Sequence, residues 1–149
     1  MPYEFKTTRR VEFAETDMAG IVHFANFFRY MEEAEHAFYR SLGFSVHRRT
    51  ADGFVGWPRV AATCDFLRSL RFEDEVEVHL LVRQRQPKSI EYQFVFRTRR
   101  DDGDLEVARG TMKVVCASRS NDQSQLQAVT IPPQIAEKIE EAPRELLEV

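Results

Sequence analysis

A carboxylate, a flexible turn and the start of a helix stand side by side in Phe13-Ala14-Glu15-Thr16-Asp17-Met18-Ala19-Gly20-Ile21-Val22-His23-Phe24-Ala25-Asn26-Phe27-Phe28-Arg29-Tyr30. Together they can polarise a carbonyl and attack it. Unpaired N–H groups at a helix start stabilise developing negative charge, and Asp17 supplies a carboxylate as nucleophile or general base. The positive end of the helix dipole favours the Asp17 anion. Asp also fills turns and caps helices, and on the residues alone that reading competes with catalysis. Gly20 gives the turn backbone freedom. His23 reads either as a proton shuttle or as a packed or exposed ring, and Asn26 either caps the helix or holds the Asp17 loop.

The elements around this loop follow from periodicity. Alternation from Tyr3 to Phe13 predicts a first strand with Tyr3, Phe5, Val11 and Phe13 on one face. Phe24, Phe27, Phe28, Met31, Ala34, Phe38 and Leu42 recur at spacings of three and four, so a long helix follows. Gly43 sits where a C-terminal cap belongs. The opposite helix face carries Arg29, Glu32, Glu33, Glu35 and Arg40. Val55–Leu70 is long and mixed. Val76, Val78, Leu80 and Val82 then alternate, as do Ile90, Tyr92, Phe94 and Phe96. Asp101-Asp102-Gly103-Asp104 signals a hairpin, and a last strand spans about Leu105–Ala117. A polar loop follows Ser118, and Ile131-Pro132-Pro133 opens a short helix ending near Glu141. One helix cannot cover both faces of such a sheet, so the sheet should wrap the helix and bury its remainder against another subunit.

The 149 residues make one domain with a sizeable core. Apolar residues are 43% and charged residues 30%, so disordered and membrane classes lose ground, and a net charge of -3 gives no basic field for nucleic acid. Met1-Pro2-Tyr3-Glu4-Phe5-Lys6 lacks the apolar region of a secretion signal. The two cysteines, Cys64 and Cys116, lie in strand-like runs and read as buried thiols, neither a disulfide nor nucleophiles. The expectation is a cytoplasmic protein without membrane contact. No phosphate-binding glycine loop, nucleophile elbow, metal-spaced cluster or dinucleotide fingerprint occurs, so no cofactor and no metal are expected.

With these residues in view, Phe13–Glu33, and above all Asp17-Met18-Ala19-Gly20-Ile21-Val22 followed by Asn26, resembles the signature of hotdog-fold acyl-CoA thioesterases of the 4-hydroxybenzoyl-CoA thioesterase type. The likeness runs through Arg68–Glu77, Lys88-Ser89 and Ile131-Pro132, roughly Glu4 to Ile139. It implies an α+β hotdog fold, with an antiparallel sheet of about five strands wrapped around one long central helix, and a homodimer or homotetramer. It implies hydrolysis of an acyl- or aroyl-CoA thioester by Asp17, with the Phe24 backbone N–H and the Gly20 turn forming the oxyanion site. It implies that Lys88, Ser89, Arg85 and nearby Arg83 hold coenzyme A. Glu32 or Glu33 would read a polar substrate group across a subunit boundary, and Phe28, Phe27 and Met31 would line an apolar acyl pocket, with Trp57 either packing or lining. Many members of the wider family carry His or Tyr where this chain has Phe24, so no catalytic His carries over. Two further readings keep the fold: an acyl carrier protein thioesterase docking through Arg97, Arg99 and Arg100, and a non-catalytic acyl-CoA-binding domain.

Overall fold

The computed structural model describes residues 3–101, 103–122 and 125–149. Asp102 of the expected hairpin, Gln123 and Ser124 of the expected polar loop, and Met1 and Pro2 lie outside the described residues. Strand β1 (Glu4–Arg10) leads through a 3-10 turn (Phe13–Glu15) into helix α1 (Ala25–Ser41). Strands β2 (Arg48–Thr50), β3 (Gly53–Gly56), β4 (Arg59–Phe66), β5 (Glu75–Arg85), β6 (Ser89–Arg100), β7 (Gly103–Val115), β8 (Ala117–Ser120) and β9 (Gln127–Ala128) follow, then the short helices α2 (Pro133–Ala136) and α3 (Arg144–Leu147). The main sheet runs β1-β5-β6-β7-β4 with every pair antiparallel. A small second sheet, β2-β3-β8-β9, extends the fold beyond the expected pattern.

Period-two alternation on β5 and β6 places the core as the sequence suggests. Val76, Val78, Leu80, Val82, Ile90, Tyr92, Phe94 and Phe96 are all buried. Against them α1 packs Phe27, Tyr30, Met31, Ala34 and Phe38, each worth roughly 1.5–3 kcal/mol of burial when large. The close approach is set at Gly110 on β7, where a Cβ would lie 2.2 Å from Met31 Cε and 2.7 Å from Thr63 O. Only glycine fits there. At the helix end Gly43 takes φ 91°, while Gly43 N–H and Phe44 N–H donate to Arg40 O and Tyr39 O. Those two bonds satisfy carbonyls that would otherwise be orphaned.

Several expectations need correcting. Phe13 is not on the core face of a strand; it opens the 3-10 turn, is 75% exposed and packs edge-on against Phe72. The helix begins after Phe24, which is 59% exposed. Glu35 lies fully buried, on the helix flank that faces β4 and Arg59. Val55–Leu70 divides into β3 and β4, and the last long strand ends at Val115 with β8 continuing past Ser118. The helix opened by Pro133 stops at Ala136, not near Glu141.

The outer sheet face is also better covered than expected. His79, Leu81, Gln93 and Val95 are buried. The C-terminal segment reaches this part of the sheet, with Ala142 N–H donating to Val82 O and Gln93 Nε2 to Leu147 O. What stays open is β4: all its residues but Cys64 are exposed, and among the described residues it pairs only with β7.

Candidate active site

Residues 15–23 form a miniature antiparallel hairpin. Thr16 pairs with Val22, Asp17 N–H donates to Ile21 O (2.9 Å), and Gly20 N–H closes the turn on Asp17 O (3.0 Å). Gly20 has φ 79°, a conformation strained for side-chain-bearing residues, so the turn requires its glycine. Asp17 Oδ1 accepts Ala19 N–H at 2.8 Å; among the described residues no protein group engages Oδ2. The hairpin is moored on two sides. Val22 N–H donates to Leu70 O (2.8 Å), and Glu15 O accepts both His23 N–H (2.9 Å) and Asn26 Nδ2 (2.8 Å). Asn26 therefore holds the Asp17 loop.

The helix start carries a free backbone donor among the described residues. Ala25 N–H donates to His23 Nδ1 (3.3 Å), Asn26 N–H to His23 O (2.9 Å) and Phe27 N–H to Phe24 O (3.2 Å). His23 thus caps the helix, its ring stacked on Phe24 at 4.7 Å. Among residues 22–27 the Phe24 N–H is the one amide that donates to no described residue.

Asp17 and Phe24 open on one cavity of about 400 Å³, walled by Ile21, Phe27, Phe66 and Leu70. Phe66 sits edge-on to Phe27 (5.2 Å) and Phe24 (6.4 Å). Arg68 also lines it, with Nη1 donating to Glu106 O (2.8 Å). Sequence reasoning missed Phe66, Arg68 and Leu70. The available signal was the break in alternation at Phe66-Leu67-Arg68-Ser69, which ends a strand beside the Asp17 loop.

The other expected site residues lie elsewhere. Phe28 is half-buried and Met31 fully buried; neither lines the cavity. Glu32 is exposed, 3.5 Å from Arg59. Arg59 also donates to the buried Glu35 (2.5 Å) and to Trp57 O, and Trp57 is a packed core residue beside Tyr39. Burial raises the Glu35 carboxyl to about 7 against the pull of Arg59. Lys88, Ser89 and Arg85 stand at the far end of the sheet. Ser89 and Phe96 are seven residues apart on β6, or ~23 Å at ~3.3 Å per residue, and Phe96 packs on Phe27 at the cavity end. Ser89 is buried and its hydroxyl donates to Gln86. Lys88 is exposed, and the Arg85 backbone N–H donates to Glu141. One chain therefore does not bring these residues to Asp17. Cys64 and Cys116 are free; burial pushes their thiols up to about 12 and about 11, which suppresses the nucleophilic thiolate. Among the described residues no helix is long and apolar enough to cross a membrane, and no group of His, Cys, Asp or Glu gathers as a metal site.

Residues 11–139 match the thioesterase-like superfamily. A protein of Aquifex aeolicus (strain VF5), provisionally named an esterase, is 32% identical over 142 residues, covering 95% of this chain and all of the relative. The 4-hydroxybenzoyl-CoA thioesterase of Pseudomonas sp. (strain CBS-3) is 25% identical over 126 residues, covering 83% of this chain and 89% of that one. The solved structure of a gentisyl-coenzyme A thioesterase superposes with a TM-score of 0.73 at 30% identity, covering 89% of this chain and 99% of its own. The open sheet and the long helix are thus shared with solved structures of a known lineage, and the chain belongs to the thioesterase-like superfamily as a hotdog-fold thioesterase of the 4-hydroxybenzoyl-CoA thioesterase type.

Proposed function

We propose that the chain hydrolyses an acyl-CoA thioester, with an aroyl group preferred. The observation that carries this is that Asp17 and Phe24, whose N–H donates to no described residue, line one aromatic-walled cavity. As nucleophile, an Asp17 oxygen attacks the thioester carbon and the resulting oxyanion accepts the Phe24 N–H. The C–S bond breaks, the thiolate leaves to take a proton from water, and water hydrolyses the mixed anhydride. As general base, Asp17 takes a proton from water while the water oxygen attacks the same carbon; the C–S bond then breaks and the leaving thiolate takes the proton back from Asp17. The helix N-terminus stabilises the oxyanion on either route.

The aromatic walls of Phe24, Phe27 and Phe66 favour a flat acyl group over acetyl. Two of the relatives above are named for aroyl substrates, 4-hydroxybenzoyl-CoA and gentisyl-CoA. Two chains pairing antiparallel through β4 would cover its open edge. On β4 and its neighbours, Arg59 lies at the same sheet end as Ile90 and Val114, whereas Phe66 lies at the end of Ala108 and Phe96. Antiparallel pairing therefore sets the partner's Lys88, Ser89 and Arg85 at the Asp17 end of this chain, where they would hold coenzyme A. The partner's Glu32 comes to the same end and would read a polar group on the acyl moiety.

The carrier-protein reading finds less support, because Arg97 is paired with Glu77, Arg99 with Asp104, and Arg100 with Asp74 and Ser69 O. The testing experiment is thiol release from a panel of acetyl-, medium-chain and aroyl-CoA esters. Aroyl-CoA is expected to give the highest kcat/KM. Acetyl-CoA as best substrate would refute the preference, and no release from any ester would refute the activity.

A further inference from the structure

We propose that Glu15 is a positioning residue for this reaction, because the same residue clamps the hairpin bearing Asp17 and both sides of the Phe24 N–H; the inference rests on the thioesterase reading above. Its main chain does the clamping. The Glu15 carbonyl accepts His23 N–H (2.9 Å), one residue before Phe24, and Asn26 Nδ2 (2.8 Å), two residues after it. Two residues downstream the same chain carries Asp17. The separation of the attacking carboxylate from the oxyanion donor is therefore set by where the Glu15 peptide sits.

The Glu15 side chain fixes that peptide to the rest of the fold. Oε1 accepts Tyr30 OH and Glu12 N–H, each at 2.9 Å, and Oε2 accepts Arg9 Nη2 at 2.5 Å. Arg9 comes from β1. It also donates to both oxygens of Glu33 on α1 (2.7 and 2.8 Å) and stacks 4.4 Å over the Tyr30 ring. Tyr30 comes from the buried face of α1, at 1% exposure. One carboxylate thus ties the sheet, the helix and the hairpin together, with its side chain only 15% exposed. Burial and the neighbouring Glu15 carboxylate both hold the proton on Tyr30, which keeps that hydroxyl a donor. None of these groups lines the cavity, so Glu15 acts through Asp17 and Phe24 and touches no substrate.

A catalytic pair shifted by a fraction of its span loses rate while distant binding contacts persist. Glu15→Gln keeps the size and the Oε1 acceptor but removes the charge gripped by Arg9. It is expected to lower kcat ~10–100-fold with KM for an aroyl-CoA within about twofold. Tyr30→Phe, which deletes one hydroxyl and no volume from the core, is the second variant; its expected loss is ~3–10-fold in kcat, again with KM held. Both variants are then made in the Asp17→Asn background. Because one of the two groups Glu15 positions is Asp17, each variant is expected to cost several-fold less there than in the wild-type background. Equal losses in both backgrounds, or an unchanged kcat with a lowered melting temperature, would overturn the proposal and reduce the network to a structural brace. Should Glu15→Gln fail to fold, Tyr30→Phe decides alone on the same criteria. A fully active Asp17→Asn enzyme would instead fell the thioesterase mechanism itself, an outcome distinct from the failure of Glu15.

Discussion

At the scale of single residues, the proposed mechanism asks as much of a backbone group as of a carboxylate. Phe24 has φ −53° and its N–H donates to no described residue. Proline fits that φ and removes that donor without breaking a hydrogen bond. Phe24→Pro is therefore expected to leave the fold intact and lower kcat by ~10²–10³, the usual worth of one oxyanion donor. Phe24→Ala, which keeps the N–H, should affect mainly KM through the lost ring. Equal kcat losses in the two variants would remove the backbone donor from the mechanism. The Asp17–Gly20 turn and the helix after it were legible in the sequence because turn chemistry and helix periodicity meet there. Glu15 was not, because its importance comes from Arg9 and Tyr30, residues on two other elements. Phe28 stands apart from the cavity of the single chain for a related reason: three- and four-residue spacing marks a face but does not say which part of that face meets the sheet and which flanks it.

At the scale of elements, the flank of α1 that faces β4 carries a buried charge. Glu35 Oε1 accepts Arg59, while Oε2 is buried with no partner among the described residues. Folding raises this carboxyl from 4.5 to about 7 through burial. An acid whose pKa rises on folding favours the native state while protonated; that contribution is full below pH 4.5 and is lost as pH climbs through about 7. Urea unfolding should therefore show wild type losing up to ~3 kcal/mol relative to Glu35→Gln between pH 4.5 and 8. Parallel stability curves would show that Glu35 stays solvated. The sequence placed Glu35 among the solvated charges because periodicity treats every charge alike. The main strands, by contrast, were plain from alternation that ends in buried aromatic rings on β6. The short strands of the second sheet carry too few residues to show a period, which is why β2, β3, β8 and β9 escaped.

At the scale of the whole molecule, β4 presents an unpaired edge with Val60 58% and Phe66 47% exposed. Natural proteins cover or blunt such edges. Light scattering at micromolar concentration is expected to give a dimer or tetramer, and a stable monomer would rule out a site shared between chains. In that assembly Lys88→Ala should raise KM for a CoA ester more than it lowers kcat, since a remote phosphate contact binds ground and transition states alike. A thioester without the nucleotide should be indifferent to the change, and equal effects on both substrates would cancel the coenzyme assignment. The most direct test of the account is the turnover of Asp17→Asn on an aroyl-CoA, read as thiol release beside a check that the variant folds. Asparagine keeps the size and an oxygen for Ala19 N–H but neither attacks as a carboxylate nor takes a proton. The predicted result is a folded protein whose kcat is lower by ~10²–10⁴; a folded variant with near-normal turnover would contradict the account.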